Sequence, residues 1–374
     1  MTGQLVSLGE LVRAHYGKAL KDSDRRGGGQ HDVYGSSGII GRHDQCLVPY
    51  PTVVIGRKGS VGSVTFAPNG GWPIDTAFFI EMREPGRADL RYLYWALSNA
   101  RLDRRAITTS IPGLNRDELY RAKIRLPALS EQHRIAAMLD KADDVRRKQR
   151  DGLSLVNQLP DSAFLEMFGD PVKNDRNWTL HSASHAIASL EAGSSVGGDS
   201  RAREENEWAV LKISAVTSGT YRPDECKVVD TLPDRVVVPA KGDLLFSRAN
   251  TRELVAATCL VDQTEKRLFL PDKLWRITPN PELADAVYLR YLLSHGQFRQ
   301  KLTAQATGTS GSMLNVSQEK LLRMVFPLPP LGLQRRFAAL VWKAIETRKK
   351  MKDAAGQADL LLESLTQDAL TGAR

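Results

Sequence analysis

The sequence predicts an α+β chain of two tandem mixed α/β domains, each followed by a long helix, with the two helices packing as an antiparallel coiled-coil spacer. Three observations carry this expectation. A pseudo-two-fold internal repeat runs through the 374 residues, the same 4-3 apolar spacing follows each copy, and short apolar runs punctuated by turn residues precede each spacing.

The repeat is weak in identity but steady in order. DLRYLYWALS at 89–98 aligns with DAVYLRYLLS at 285–294, an offset of 196. Thr109, Ser110 and Leu114-Asn115 recur as Thr309, Ser310 and Leu314-Asn315, an offset of 200. The string P-x-L-x-x-Q at Pro127, Leu129 and Gln132 recurs at Pro329, Leu331 and Gln334, an offset of 202. A period near 200 residues fits two globular units, since solenoid repeats are several times shorter.

Four segments follow. Residues 1–128 are mixed, with strand-like TVVIG and VTFAP and a helix near 88–105. Residues 129–168 read as the first long helix. Residues 169–328 open on the breaker Gly169–Pro171 and repeat the mixed character, with VVVPAKGDLLFS, ATCLVD and KLWRITP as short strands. Residues 329–374 read as the second long helix, introduced by PLPP.

Each helix carries a narrow seam. In the first it runs through Ile135, Leu139, Ala142, Arg146, Gln149, Leu153 and Val156. In the second it runs through Phe337, Val341, Ala344, Arg348, Met351, Ala355, Ala358, Leu362, Leu365 and Ala369. Matched seams predict that the helices pair; the alternative is that each covers only its own domain. Pro160 stands where the second helix has Leu362, and a proline there is expected to kink or end the helix.

Composition bounds the function. Hydrophobic content of 42% with 25% charged residues is ordinary for a globular protein, which excludes wholesale disorder. A net charge of +9 favours a polyanionic partner. Cys46, Cys226 and Cys259 are far apart and form no metal-ligand spacing, and an odd, sparse set suits a reducing cytoplasm. The first twenty residues lack a signal-peptide core, and no apolar run is long enough for a membrane span.

Two glycine-rich strings, GSSGIIG (35–41) and GRKGSVG (56–62), are neither a dinucleotide fingerprint nor a P-loop. The second presents Arg57, Lys58 and Ser60 on one tight turn, a set suited to phosphate or guanine; the first brings Tyr34, Ser36 and Ser37. The matching place in the second half is FSRANTRE, with Ser247, Arg248, Asn250, Thr251 and Arg252. Arginine can read guanine and asparagine adenine through paired hydrogen bonds. Read plainly, both are exposed basic turns.

Further candidates lie in loops. DSDRRGGGQHD (22–32) supplies Arg25 and Arg26, and 191–207 resembles it in composition; these read either as loop tips or as arms that order on a phosphate backbone. Thr109, Ser110 and Asn115, with Thr309, Ser310, Ser312 and Asn315, precede short helix starts and read as caps, as phosphate-binding turns, or as both. Asp75 and Asp272, at similar places before apolar strands, read as structural.

No catalytic constellation is found. The chain has no Asn- or Asp-Pro-Pro-Tyr string of an amino-methyltransferase, no H-E-x-x-H and no nucleophile elbow. An unrecognised methyltransferase or nuclease would be exposed by methylation or cleavage of DNA by the purified chain alone.

The pattern resembles the specificity subunits of type I restriction–modification systems. PALSEQHRIAAMLDKAD and PLPPLGLQRRFAALVWKAI look like that family's helical regions, AFLEMFGDP (163–171) like its junction after the central helix, and YGSSGIIG and VVIGRKGSVG like its recognition-domain motifs.

The resemblance implies a cytoplasmic, non-catalytic DNA-recognition subunit. Its two target-recognition domains would each read half of a split double-stranded DNA sequence, and the helical pair would set the unread spacing. Two methyltransferase subunits would supply S-adenosylmethionine, and motor-nuclease subunits ATP and Mg chemistry. This chain itself would hold no cofactor and no metal. An alternative is a DNA-binding accessory of another phage-defence system, which co-purification with a methyltransferase would separate.

Overall fold

The computed structural model describes residues 3–25, 28–105, 113–306 and 314–371. They form two compact units, residues 1–151 with 352–374 and residues 152–351. The long helices run Leu129–Phe168 and Leu331–Thr371, and the division between units falls inside both. Each unit thus takes one stretch of both helices.

In the first unit, Gln4–Ser7 pairs antiparallel with Lys123–Leu126. A four-stranded antiparallel sheet follows in the order Val12–Tyr16, Ala77–Met82, Thr52–Gly56, Val64–Ala67. A smaller sheet centres on His31–Gly35, flanked by Gly38–His43 antiparallel and Trp72–Pro73 parallel. TVVIG reads as a near-continuous apolar run because both faces of its strand are covered. Val53 and Ile55 join the larger core with Phe78 and the helix Leu90–Asn99, whereas Val54 faces Tyr34, Val48 and Phe79.

The second unit repeats this order. Leu180–Ser182 pairs with Val325–Pro327, and the four-stranded sheet runs Ile187–Ala192, Leu274–Pro279, Leu244–Ser247, Thr258–Leu260. Ala209–Leu211 sits between Cys226–Val228, antiparallel, and Leu268–Phe269, parallel. Within LLFS, Leu244 and Phe246 face the helix Ala286–Ser294 while Leu245 faces Leu211, Val261 and Leu274. The Val236–Val238 part of the expected strand run is irregular; Val237 is buried and its carbonyl accepts the Leu270 amide at 2.9 Å.

The helices pack antiparallel within each unit. In the first, Ile135 and Leu139 share a core with Leu362, Ala369 and Leu370. In the second, Ala163, Phe164 and Phe168 share one with Phe337, Ala338 and Val341. Of the remaining seam residues, Ala142, Leu153, Val156 and Met351 are half-buried, while Ala344, Ala355 and Ala358 are buried. The central helix stays helical across Pro160, which is buried at the seam position matching Leu362. Of the two expected outcomes, a kink or an end, the end does not occur: the helix runs on to Phe168.

The P-x-L-x-x-Q strings are joints. Gln132 is 1% and Gln334 0% exposed. Gln132 accepts the Asp89 amide at 2.8 Å and donates to the Pro127 carbonyl; Gln334 accepts the Asp285 amide at 2.9 Å and donates to the Pro329 and Leu283 carbonyls. Asp89 and Asp285 in turn cap the helices Leu90–Asn99 and Ala286–Ser294. Among the described residues, no helix is long and apolar enough to cross a membrane.

Candidate nucleic-acid interface

Each unit carries an arginine just after a central strand of its four-stranded sheet, and both are held the same way. Thr52–Gly56 delivers Arg57, whose amide donates to the Thr76 carbonyl and whose Nη1 donates to the Asp75 carbonyl, both at 2.9 Å. Leu244–Ser247 delivers Arg248, whose amide donates to the Lys273 carbonyl at 3.1 Å and whose Nε donates to the Asp272 carbonyl at 2.8 Å. Asp75 and Asp272 both accept through their backbone oxygens, and the Asp272 carboxylate also lies 3.6 Å from Arg248 Nη2. The Leu114 amide donates to the Arg57 carbonyl, and the Val316 amide to the Arg248 carbonyl, both at 2.9 Å.

These contacts correct the register read from the sequence. Leu114 corresponds to Val316, and Asn115 to Ser317, an offset of 202 and not 200. Asn115 caps Arg116–Tyr120 by accepting the Glu118 amide at 2.7 Å, and Ser317 caps Gln318–Leu322. Asn315 has another task. It pairs with Ala249 in a two-residue ladder, and its Oδ1 lies 3.5 Å from Arg248 Nη1.

The other candidates divide by exposure. Ser37, Lys58, Ser60, Asn115 and Arg252 are exposed. Gly59 and Gly62, both at positive φ, turn the Lys58–Ser60 loop; a Cβ on Gly62 would lie 2.4 Å from the Asp103 amide nitrogen, so only glycine lets this loop seat there. Ser36 is half-buried, and its carbonyl accepts the Ser63 hydroxyl. Arg25 pairs with Asp22 at 2.6 Å and donates to the Leu20 carbonyl at 2.8 Å. Asn250 Oδ1 accepts the Thr251 amide, and the Thr251 carbonyl accepts from Leu254 and Val255.

Two candidates lie in the core instead. Tyr34 is 1% exposed, and its hydroxyl is pushed up to about 12, by burial first and by Asp32 second. Its ring fills the space between the two sheets, because the strand's pleat turns position 34 inward. Ser247 is 0% exposed, and its hydroxyl has no partner among the described residues. Arg26, Thr109, Ser110, Thr309, Ser310 and Ser312 lie outside the described residues.

The geometry adds two residues. The Arg57 guanidinium lies 4.8 Å from the Tyr16 ring centre, and that of Arg116 lies 4.5 Å from the same ring. Tyr16 is 48% exposed at the end of Val12–Tyr16. A strand-end aromatic looks like a core residue in sequence, whereas Arg116 could have been marked as the first residue after the Asn115 cap.

Among the described residues, no cluster of His, Cys, Asp and Glu could hold a metal ion. Cys259 is buried, which pushes its thiol up to about 12 and keeps it protonated. What remains exposed is cationic and hydroxylic, a set suited to phosphate and base edges.

Comparison with known proteins bears out the resemblance drawn from the motifs. Residues 3–151 match the family model described as "Type I restriction modification DNA specificity domain". The chain is 30% identical over 200 residues to the EcoEI type I restriction enzyme specificity subunit of Escherichia coli, covering 52% of this chain and 34% of that protein. It is 27% identical over 119 residues to a protein of Methanocaldococcus jannaschii described as a putative type I restriction enzyme MjaX specificity subunit, covering 32% and 27%. The matches thus span about a third and about a quarter of those relatives' lengths. The crystal structure of a type I restriction-modification S subunit from M. genitalium superposes with a TM-score of 0.69 at 16% identity, covering 99% of this chain and 96% of that one. A structure from work on type I R-M complex assembly gives 0.51 at 15% identity, covering 99% and 98%. These likenesses place the fold.

Proposed function

We propose that this chain is the sequence-reading, non-catalytic subunit of a type I restriction–modification assembly, with each unit reading one half of a bipartite double-stranded DNA target. The observation that carries the reading is the twofold use of one device: Arg57 and Arg248, each after a central strand, each seated on an aspartate carbonyl, each beside an exposed polar loop. A basic chain with two such loops is equipped to meet two stretches of one duplex, and reading both from one chain raises specificity through effective concentration.

The rest of the assembly follows from the same reading. The long helices carry solvent-facing leucines, among them Leu155 and Leu159 in the second unit and Leu360 and Leu361 in the first. Single exposed leucines are ordinary, but paired ones within each unit's own helix stretch fit docking by a partner subunit there. Two methyltransferase subunits would bring S-adenosylmethionine, and motor-nuclease subunits ATP and Mg, in the cytoplasm. The helices would set the unread spacing between half-sites.

The test is to co-express the chain with a type I methyltransferase subunit in a methylation-free host and map modified adenines by single-molecule sequencing. One split motif that disappears when this chain is omitted is expected. Modification at the same motif without it would overturn the reading.

A further inference from the structure

The first unit contains a cluster with no counterpart among the described residues of the second. The Tyr16 ring has two guanidinium neighbours, Arg57 at 4.8 Å and Arg116 at 4.5 Å, and its other ring neighbour is Phe78 at 5.0 Å. Arg57 spends one donor on the Asp75 carbonyl. Arg116 has no hydrogen-bond or ion-pair acceptor among the described residues, and its Nε is buried without one. A guanidinium carries five N–H donors in a rigid fork. With its guanidinium carbon over the face of an exposed tyrosine, the Arg116 fork is held against the ring and has no partner at its Nη end among the described residues.

An arginine that serves only as charge needs no such restraint, because a phosphate accepts from many directions. An arginine that must meet two acceptors side by side gains from a fixed plane, since less freedom is lost on binding. The neighbouring backbone also keeps Arg116 in place. The Leu114 amide bonds to the Arg57 carbonyl, Asn115 caps the turn that follows, and the Ala14 amide donates to the Tyr120 hydroxyl at 3.0 Å.

Resting on the function proposed above, we infer that Arg116, stacked on Tyr16, reads a guanine through the paired O6 and N7 acceptors of its major-groove edge, and that Tyr16 is its positioning residue. In the second unit the corresponding position after the cap is Gln318, which is exposed. Glutamine's paired partner is adenine, so the two readers differ at one equivalent position.

The experiment is selection from a randomised duplex library by the full-length chain, comparing wild type with Arg116→Gln, Arg116→Ala and Tyr16→Leu. Wild type is expected to select a motif with one G·C pair that Arg116→Ala relaxes by about tenfold, while the other positions stay unchanged. Arg116→Gln is expected to shift that position toward A·T, and Tyr16→Leu to weaken the same preference without replacing it. Uniform weakening across all sequences with a shallower salt dependence would make Arg116 a phosphate anchor and overturn the inference. An unchanged motif in all three variants would overturn it as well while leaving the proposed function standing. A wild-type chain that selects no sequence would remove both. Retention of the wild-type preference elsewhere in the motif is the check that each variant is folded.

Discussion

Gln334, wholly buried, accepts the backbone amide of Asp285 at 2.9 Å and so fastens the start of the distal helix to the cap of Ala286–Ser294. Its Nε2 donates to the Pro329 carbonyl at 2.7 Å and the Leu283 carbonyl at 3.0 Å. Gln334→Leu would abandon three backbone groups, and each buried group left unpaired costs about 1–3 kcal/mol. A loss of about 3 kcal/mol or more is expected, read as a lower urea midpoint at constant m-value. Gln132→Leu should cost less, because Gln132 has two such bonds. Equal or negligible losses would refute the joint.

Asp285 itself predicts a pH dependence. Burial, outweighing the amide bonds from Val287 and Tyr288 and the charge of Arg335, lifts its carboxyl above the usual carboxylate range. A carboxyl raised in the folded state holds its proton better there than in the unfolded chain. Its penalty is therefore absent at low pH and grows as pH rises above about 4, levelling off beyond the folded-state value. Asp285→Asn keeps an acceptor for the Val287 amide and removes the charge. Its stability relative to wild type is expected to climb across that window, which unfolding curves at a series of pH values would register.

Tyr34 and Ser247 separate core from contact. Tyr34→Phe is expected to leave DNA affinity within about twofold, since a buried hydroxyl reaches no phosphate. Ser247→Ala should hold or raise the unfolding midpoint, because the lost hydroxyl has no partner among the described residues. A tenfold loss of affinity in either variant, measured by fluorescence anisotropy, would return that residue to the DNA surface.

Asp272 tempers Arg248. Its Oδ2 lies 3.6 Å from Nη2, while the bond from Arg248 Nε goes to the Asp272 carbonyl and survives a side-chain change. Asp272→Asn should leave the loop in place and unmask the cation. DNA affinity at low salt is expected to rise about threefold, with a steeper salt slope by up to about one. A flat response would mean that Arg248 stays turned away from the duplex.

The helices were legible in the sequence because their pattern is local. Ile135, Leu139, Phe337 and Val341 fall on the 4-3 spacing and are each 0% exposed. The P-x-L-x-x-Q string was visible, but not its purpose, since the Gln132 partner Asp89 lies 43 residues earlier in the chain. Asn315 was placed opposite Asn115 because both follow leucine, whereas hydrogen bonding to the preceding arginine sets the register two residues later. Of the loop candidates, Lys58, Ser60 and Arg252 are exposed as a basic turn requires. Tyr34 and Ser247 are not, because strand alternation buries a polar side chain as readily as an apolar one. The Tyr16–Arg116 stack joins positions a hundred residues apart, and no periodicity announces it.

The core that holds Ile135 and Leu139 also takes in Leu362, Ala369 and Leu370. On a ribosome adding roughly ten residues per second, those last three arrive about twenty seconds after the helix they cover. Through that interval the apolar side of Ile135 and Leu139 lacks the residues that cover it in the finished fold. Completion of that core therefore waits on the last-made stretch of the distal helix, a dependence set by the order of synthesis as well as by final stability.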